Sequence, residues 1–217
     1  MDEHIDRARL THDLHYRFEY LAKFLNFTKD DILVLNSLAP TIFAHIKFIT
    51  EKIYDKLYSY DVIKKYFLLR NDDFESFSSN ELDTSTTVSS IQTDFRKDML
   101  SMYLKKIFVQ TEWNDIFLQY LSQIGEIHTE SDHTVSTNVD YIHVNMLFGY
   151  LEHLLIDIIW NEACLDDTKK RLGIRAINKV FRIQNDFFTM HYGMTIRQDT
   201  HSVAPSKNQR KCFFKSE

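Results

Sequence analysis

Glycine and proline are nearly missing from this chain, with 4 Gly and 2 Pro in 217 residues. Both residues punctuate turns and break helices, so their scarcity argues for long, uninterrupted helices. Cysteine is equally sparse. Cys164 and Cys212 stand far apart; one disulfide is formally available, but two cysteines in a chain of this length do not make a disulfide framework. Neither has a second cysteine two to four residues away, which leaves zinc poorly supported. A basic excess is also lacking: the net charge is -5 and the pI about 6.1, so no electrostatic footprint points to nucleic acid or to an anionic membrane. The most apolar run, Val144 to Trp160, contains Glu152, His153 and Asp157, and reads as too short and too charged to span a bilayer. The opening Met-Asp-Glu-His is acidic and polar, unlike a signal peptide. The expectation from these points is a cytoplasmic, reducing environment with no membrane span.

Familiar catalytic signatures are absent as well. The sequence has no Gly-rich phosphate loop, no Gly-x-Ser-x-Gly and no His-Glu-x-x-His. A Glu-x-x-His step of the kind used by di-iron bundles occurs at Glu130-Ser-Asp-His133, in a stretch that reads as loop. Nothing specifies enzymatic turnover.

What the chain does have is apolar residues at helical spacing, 44% hydrophobic residues in all, and 17 Phe. A length of 217 residues suits one sizeable core. Positions 10, 14, 18, 21 and 25 predict a first helix over about Arg7 to Phe24. Thr28 and Asp31 have the spacing of a capping box and start a second helix that reads to about Leu38. Pro40 suits the first turn of a third helix carrying Ile42, Ile46, Ile49, Ile53 and Leu57. Residues 71–94 are rich in Ser and Thr and read as a mobile insertion. Helices then follow over Phe95 to Phe108, Trp113 to His128, Val139 to Trp160, and from Asp166 or Asp167 to a cap near Gly193. Residues 1–10 and 195–217 read as flexible ends around one domain over 11–194. The fold class is all-α. The Phe content fits either core packing or a pocket for a flat apolar ligand, and composition alone does not separate the two.

One residue stands out by position. With about 100° of turn per residue, Trp113, Phe117, Leu121, Ile124 and His128 fall within an arc of roughly 80°. His128 therefore continues an apolar face, and Gly125 removes a side chain beside it. On pattern alone this is either a core histidine with a satisfied hydrogen bond or an iron ligand at the end of an apolar helix.

Longer stretches around it carry a resemblance. Tyr120-Leu-Ser-Gln-Ile-Gly-Glu-Ile-His128-Thr, followed by Asn138-Val-Asp-Tyr-Ile-His-Val-Asn-Met-Leu-Phe-Gly-Tyr-Leu-Glu152, resembles the proximal region of protoglobins, relatives of the haem domains of globin-coupled sensors. Tyr16 to Asp31 is similar to that family's extra N-terminal helix and the turn after it. Ile53 to Asp61, with Phe67 beyond, is similar to its distal helix and corner. The resemblance spans about Leu14 to Trp160 and implies a globin-like fold with an extra N-terminal helix, holding haem b. It maps the proximal iron ligand onto His128. It makes Tyr54 the distal tyrosine whose hydroxyl donates a hydrogen bond to O2; on pattern alone Tyr54 is equally a half-buried structural residue. It makes Phe67 the aromatic wedged against the haem, a side chain that simple core packing would also use. Leu100 becomes the residue over the iron, with Met99 and Ser101 as neighbouring registers and no bulky aromatic at any of the three. Leu147 and Phe148 line the proximal side. Arg96 reads as an exposed residue or a propionate partner, and His143 and His153 as solvent-facing or structural.

The function implied is a haem globin that binds a diatomic gas (O2, CO or NO) as carrier or sensor, with a homodimer as the implied assembly. The competing expectation is a haem-free helical interaction protein that has kept the fold.

Overall fold

The computed structural model describes residues 4–68, 84–129 and 139–202, with side chains over 4–64, 93–129 and 139–194. Eight helices run through the described residues, with no strand among them: α1 Arg9–His12, α2 Leu14–Leu25, α3 Lys29–Tyr58, α4 Asp61–Leu68, α5 Thr84–Val109, α6 Asp115–Glu126, α7 Tyr141–Asn161 and α8 Asp167–Ser202.

The first predicted helix is two. Asp13 breaks the run: its backbone is extended and its carboxylate caps α2 by accepting the Tyr16 N–H at 2.9 Å. At the other end Asn26 adopts the left-handed conformation (φ 51°) that closes α2, and the chain turns into α3. Asp31 accepts the Thr28 N–H at 2.8 Å, as the capping spacing predicts.

Pro40 does not begin a helix but sits inside α3. The missing N–H and the ring clash cost about 3 kcal/mol in a helix interior. The helix continues because Leu35, Leu38, Ala39 and Ile42, on both sides of the proline, are all buried in one stripe, and burial of a large aliphatic side chain contributes roughly 1.5–3 kcal/mol. Helix α5 starts at Thr84, inside the segment read as an insertion, so the helical part of 84–93 departs from expectation. Ser and Thr are only modest helix breakers, and extending an existing helix is far easier than nucleating one. Residues 69–83 and 130–138 of the predicted loops lie outside the described residues, as do 203–217 of the predicted tail. Helix α8 passes Gly193 without ending there.

Helix α3 is the centre of the bundle, packing on α5, α7 and α8; α8 in turn packs on α6 and α7. By length and composition alone α3 and α7 are each apolar enough to cross a membrane. Here each turns its apolar stripe into the core, α3 through Leu35, Ile42, Ile49 and Ile53, α7 through Leu151, Leu155 and Ile159. Two buried or half-buried ion pairs tie the N-terminal elements to α8. Lys179 bonds Asp31 at 2.9 Å and the Asn26 carbonyl at 2.6 Å. Arg17 grips Asp186 with two nitrogens, at 2.5 and 2.9 Å. Trp113 is seated against Phe18, Phe27 and Phe117, with ring centroids 5.8, 4.7 and 5.0 Å away, which fixes α2 beside the start of α6.

Candidate functional site

Helix α6 begins with Asn114, whose side chain accepts the Phe117 N–H at 3.2 Å, and ends at Glu126. His128 lies two residues beyond, in a tight turn where the His128 and Thr129 N–H groups reach back to the Gly125 and Glu126 carbonyls. Its imidazole Nδ1 donates to the Ile124 carbonyl at 2.6 Å. That bond fixes the tautomer: Nδ1 carries the proton and Nε2 presents a lone pair. Among the described residues Nε2 has no hydrogen-bond partner. Burial lowers the imidazole pKa, the Ile124 hydrogen bond opposes this, and Arg96 adds to the lowering; the net effect favours the neutral ring.

The histidine is held from behind. Its carbonyl accepts the Val139 N–H at 3.1 Å, with the Tyr192 hydroxyl at 3.4 Å. The same hydroxyl bonds the Val139 carbonyl. Tyr192 also meets the Tyr141 ring at 5.2 Å, and Tyr141 donates to Asn185 at 3.1 Å. Phe188 of α8 stands 5.2 Å from the imidazole centroid and edge-on to Phe148 at 5.0 Å. The turn, the start of α7 and one face of α8 thus form a single support for one imidazole.

Gly125 has a different reason from the one its sequence position suggests. A Cβ built there would lie 3.0 Å from His191 Cδ2, 3.2 Å from the Phe187 carbonyl oxygen and 3.3 Å from Phe188 Cα. The absent side chain lets α6 approach the α8 backbone and opens no room beside the imidazole. His191, brought in by this approach, bonds Ser122 at 2.9 Å.

Opposite α6 stands α5. The two make little direct backbone contact among the described residues; α5 packs on α3, and α6 on α8 and α2. Their side chains meet where the Lys106 ammonium lies 3.5 Å from the Tyr120 ring centroid. Tyr103 is also near enough to Tyr120 to be influenced by it. The Arg96 charge also acts on Tyr54 and His128.

Each residue singled out in the sequence can now be placed. Tyr54 on α3 is buried at 8% exposure, and burial pushes its phenol well above the ordinary value, Arg96 pulling the other way. It therefore stays a neutral O–H donor. Leu100 and Leu147 are half-buried against the core, and Phe148 is buried. Phe67 belongs to α4, but its side chain lies outside the described ones. On α5 the residue electrostatically coupled to His128 is Arg96, one turn before Leu100. His153 pairs with Asp157 at 3.3 Å on the surface of α7. Cys164 is a free, exposed thiol; Cys212 lies outside the described residues.

Sequence reasoning missed Tyr103. It is 7% exposed, and its buried hydroxyl has no hydrogen-bond partner among the described residues. The aromatic missing at positions 99–101 of α5 is present one turn along. A heptad count from Arg96 through Leu100 to Tyr103 would have shown the shared face.

The arrangement fits a haem. A neutral imidazole of fixed tautomer, braced by Phe188 with Phe148 behind it, is the kind of group a haem iron takes as a ligand. Comparison with known proteins bears on the fold and the family. The overall structure is similar to that of the globin domain of a Geobacter sulfurreducens globin-coupled sensor, with a TM-score of 0.59 and 17% identity over 80% of this chain and 96% of that one. At that identity the likeness establishes the fold. No curated protein matches the chain. The protoglobin family model matches residues 14–196, most of the chain and all of the helices that carry the residues described above, and the chain therefore belongs to the protoglobin family.

Proposed function

We propose that this protein is a haem-binding globin that takes up a diatomic gas, O2, CO or NO, as a gas binder or sensor. The observation that carries the reading is the His128 imidazole, with Nδ1 committed to Ile124 at 2.6 Å and Nε2 left for a metal. Haem b would supply an iron whose open position takes the gas reversibly.

The chain's own residues have separable tasks. His128 offers Nε2, and the bond from Nδ1 to a backbone carbonyl raises its basicity and fixes the ring orientation. Burial keeps the ring neutral, the form that ligates. Tyr54 keeps its proton because its surroundings are dry, and so remains a donor on the gas side. Leu100, Leu147 and Phe148 supply apolar walls that exclude water. The exposed apolar side chains of Ile142, Met146 and Trp160 on α7 support pairing of two copies.

The test is to add hemin to the purified protein and record its absorption spectrum, with His128→Ala and His128→Gly beside the wild type. A Soret band is expected that is lost or strongly shifted in both variants and restored to His128→Gly by external imidazole. A wild type without the band, or a band indifferent to both substitutions, would defeat the proposal.

A further inference from the structure

Outside the support of His128, α3 and α7 leave an open cleft of about 390 Å³ between them. That volume is within the range of small-molecule sites. Helical spacing builds it. Asp157, Ile158 and Asn161 follow Leu154 by three, four and seven residues along one face of α7, and His45 and Phe48 are neighbours one turn apart on α3. Glu162 completes the lining where α7 ends. Leu154 is buried and Ile158 half-buried, but Phe48 is 46% exposed, so a large ring stands beside aliphatic side chains with much of its surface uncovered. The exposed stripe of Ile142, Met146 and Trp160 lies roughly 100° round α7 from these residues and is a different face of the helix.

The polar groups of the lining share a bias. His45 Nδ1 donates to the Thr41 carbonyl at 2.9 Å, which leaves Nε2 as a lone pair. The Asn161 amide donates to the Asp157 backbone carbonyl at 2.8 Å and keeps its own oxygen spare. One Glu162 oxygen accepts the Cys164 N–H at 3.1 Å, and one Asp157 oxygen meets His153 at 3.3 Å; the second oxygen of each is spare. Among the described residues these four lining side chains make no other hydrogen bond or ion pair. Apart from the second Asn161 N–H, the unused capacity is therefore all acceptor. Two carboxylates and no Lys or Arg line the cleft. Lys52 comes only to 5.8 Å from the Phe48 ring centroid and is not part of the lining.

We propose that this cleft binds a small organic cation with an apolar body, of the class of arylalkyl primary amines. An ammonium group brings three donors and no acceptor, the complement of a lining whose donors are spent and whose acceptors include two carboxylates. The apolar body covers Phe48 and Ile158 and removes their surface from water. The face of a phenyl ring attracts a cation as well. A neutral alcohol of the same shape offers one donor and no charge, and a carboxylate would meet charge of its own sign. The site goes beyond the haem reading and does not depend on it.

The full chain, as purified and again after hemin is added, is titrated by calorimetry with phenylethylammonium at low ionic strength. Phenylethanol, phenylpropionate and methylammonium serve as the neutral, anionic and bodiless counterparts. Wild type is compared with Asp157→Asn, Glu162→Gln, their double variant and Phe48→Ser; Asp98→Asn, at an exposed carboxylate on α5 outside the cleft, is the control. One-to-one binding of phenylethylammonium is expected with a Kd of about 1 mM or tighter, and binding roughly tenfold weaker or less for the other three probes. Each single carboxylate variant should weaken the amine about two- to fivefold, the range of an exposed ion pair, and the double variant roughly tenfold. Phe48→Ser should weaken it as well, and Asp98→Asn should leave it unchanged. Urea midpoints check that each variant is folded. Absence of saturable amine binding to wild type overturns the proposal. So does equal binding of methylammonium or of phenylethanol, which would mean that charge alone or apolar area alone is recognised. An affinity untouched in the double variant, or lowered as much by Asp98→Asn, would put the amine elsewhere and also overturns it. A wild type without a Soret band refutes the haem reading and leaves each of these amine outcomes with the same meaning.

Discussion

Replacing Gly125 with Ala sets two effects of opposite sign against each other, and the structure decides which wins. In a helix interior Ala is favoured over Gly by about 1 kcal/mol, because glycine loses more backbone freedom on folding. Near the end of α6 that gain is at most this large. Against it, the new methyl would meet three atoms of α8 at 3.0, 3.2 and 3.3 Å, all tighter than ordinary carbon contacts. His191 Cδ2 belongs to a side chain and can swing, at the cost of its bond to Ser122. The Phe187 oxygen and Phe188 Cα are backbone atoms in the middle of α8, so they yield only if the two helices separate. Overpacking of this kind costs about 1–3 kcal/mol. The expected net effect is a loss of roughly 1 kcal/mol, growing to several with Gly125→Val, where the β-branch leaves no way out. The assay is urea unfolding of the haem-free protein, read as a lower midpoint at unchanged m-value. Because Phe188 contacts the His128 ring, the hemin-loaded variant should also show a displaced Soret maximum. An alanine variant more stable than wild type by the helix-propensity increment would mean that α6 and α8 do not approach as described, and with them the support behind His128 would fall.

Other expectations follow from single groups. Tyr54→Phe should speed O2 dissociation from the hemin-reconstituted, reduced protein while leaving CO affinity nearly unchanged; equal O2 off-rates would remove Tyr54 from the ligand side. Tyr103→Phe deletes a buried hydroxyl without a partner, so the haem-free protein should be as stable or about 1 kcal/mol more stable by urea unfolding, and a clear loss would reveal a hydrogen bond to that hydroxyl. His15 bonds Asp115 at 2.6 Å with Glu19 at 3.3 Å, and its pKa is raised, first by the Asp115 bond. A raised value means the pair stabilises fully below the unfolded histidine's pKa, near 6.5, and fades as pH rises through the folded value. The deficit of His15→Ala relative to wild type should therefore shrink between pH 6 and pH 8 and also shrink with salt, since the pair is exposed; a deficit equal at both pH values would exclude a charged His15.

Local rules predicted well where the local signal was also the physical cause. The Thr28–Asp31 spacing announced a helix start, and the start is there because a carboxylate can reach one N–H. The apolar face from Phe117 to His128 announced a histidine turned inward. Pro40 misled because propensity is weighed against burial, and the burial of Leu38 and Ile42 depends on α5 and α8, which no window around residue 40 contains. Gly125 misled for the same reason: the sequence shows that a side chain is missing, but not which neighbour takes its place. Arg96 read as a surface residue because arginine usually is one. It is half-buried, and how far an arginine is covered depends on the packing of α5 against α3.

The sequence by itself therefore determined the helices, the family resemblance and one histidine on an apolar face, since periodicity, caps and ordered motifs are all written within a few turns of chain. Only the tertiary structure decided what surrounds that histidine. The tautomer set by Ile124, the carbonyl anchored by Val139 with Tyr192 beside it, and the ring braced by Phe188 come from segments up to 64 residues away. Their relation is fixed by how helices pack, which a linear pattern does not encode.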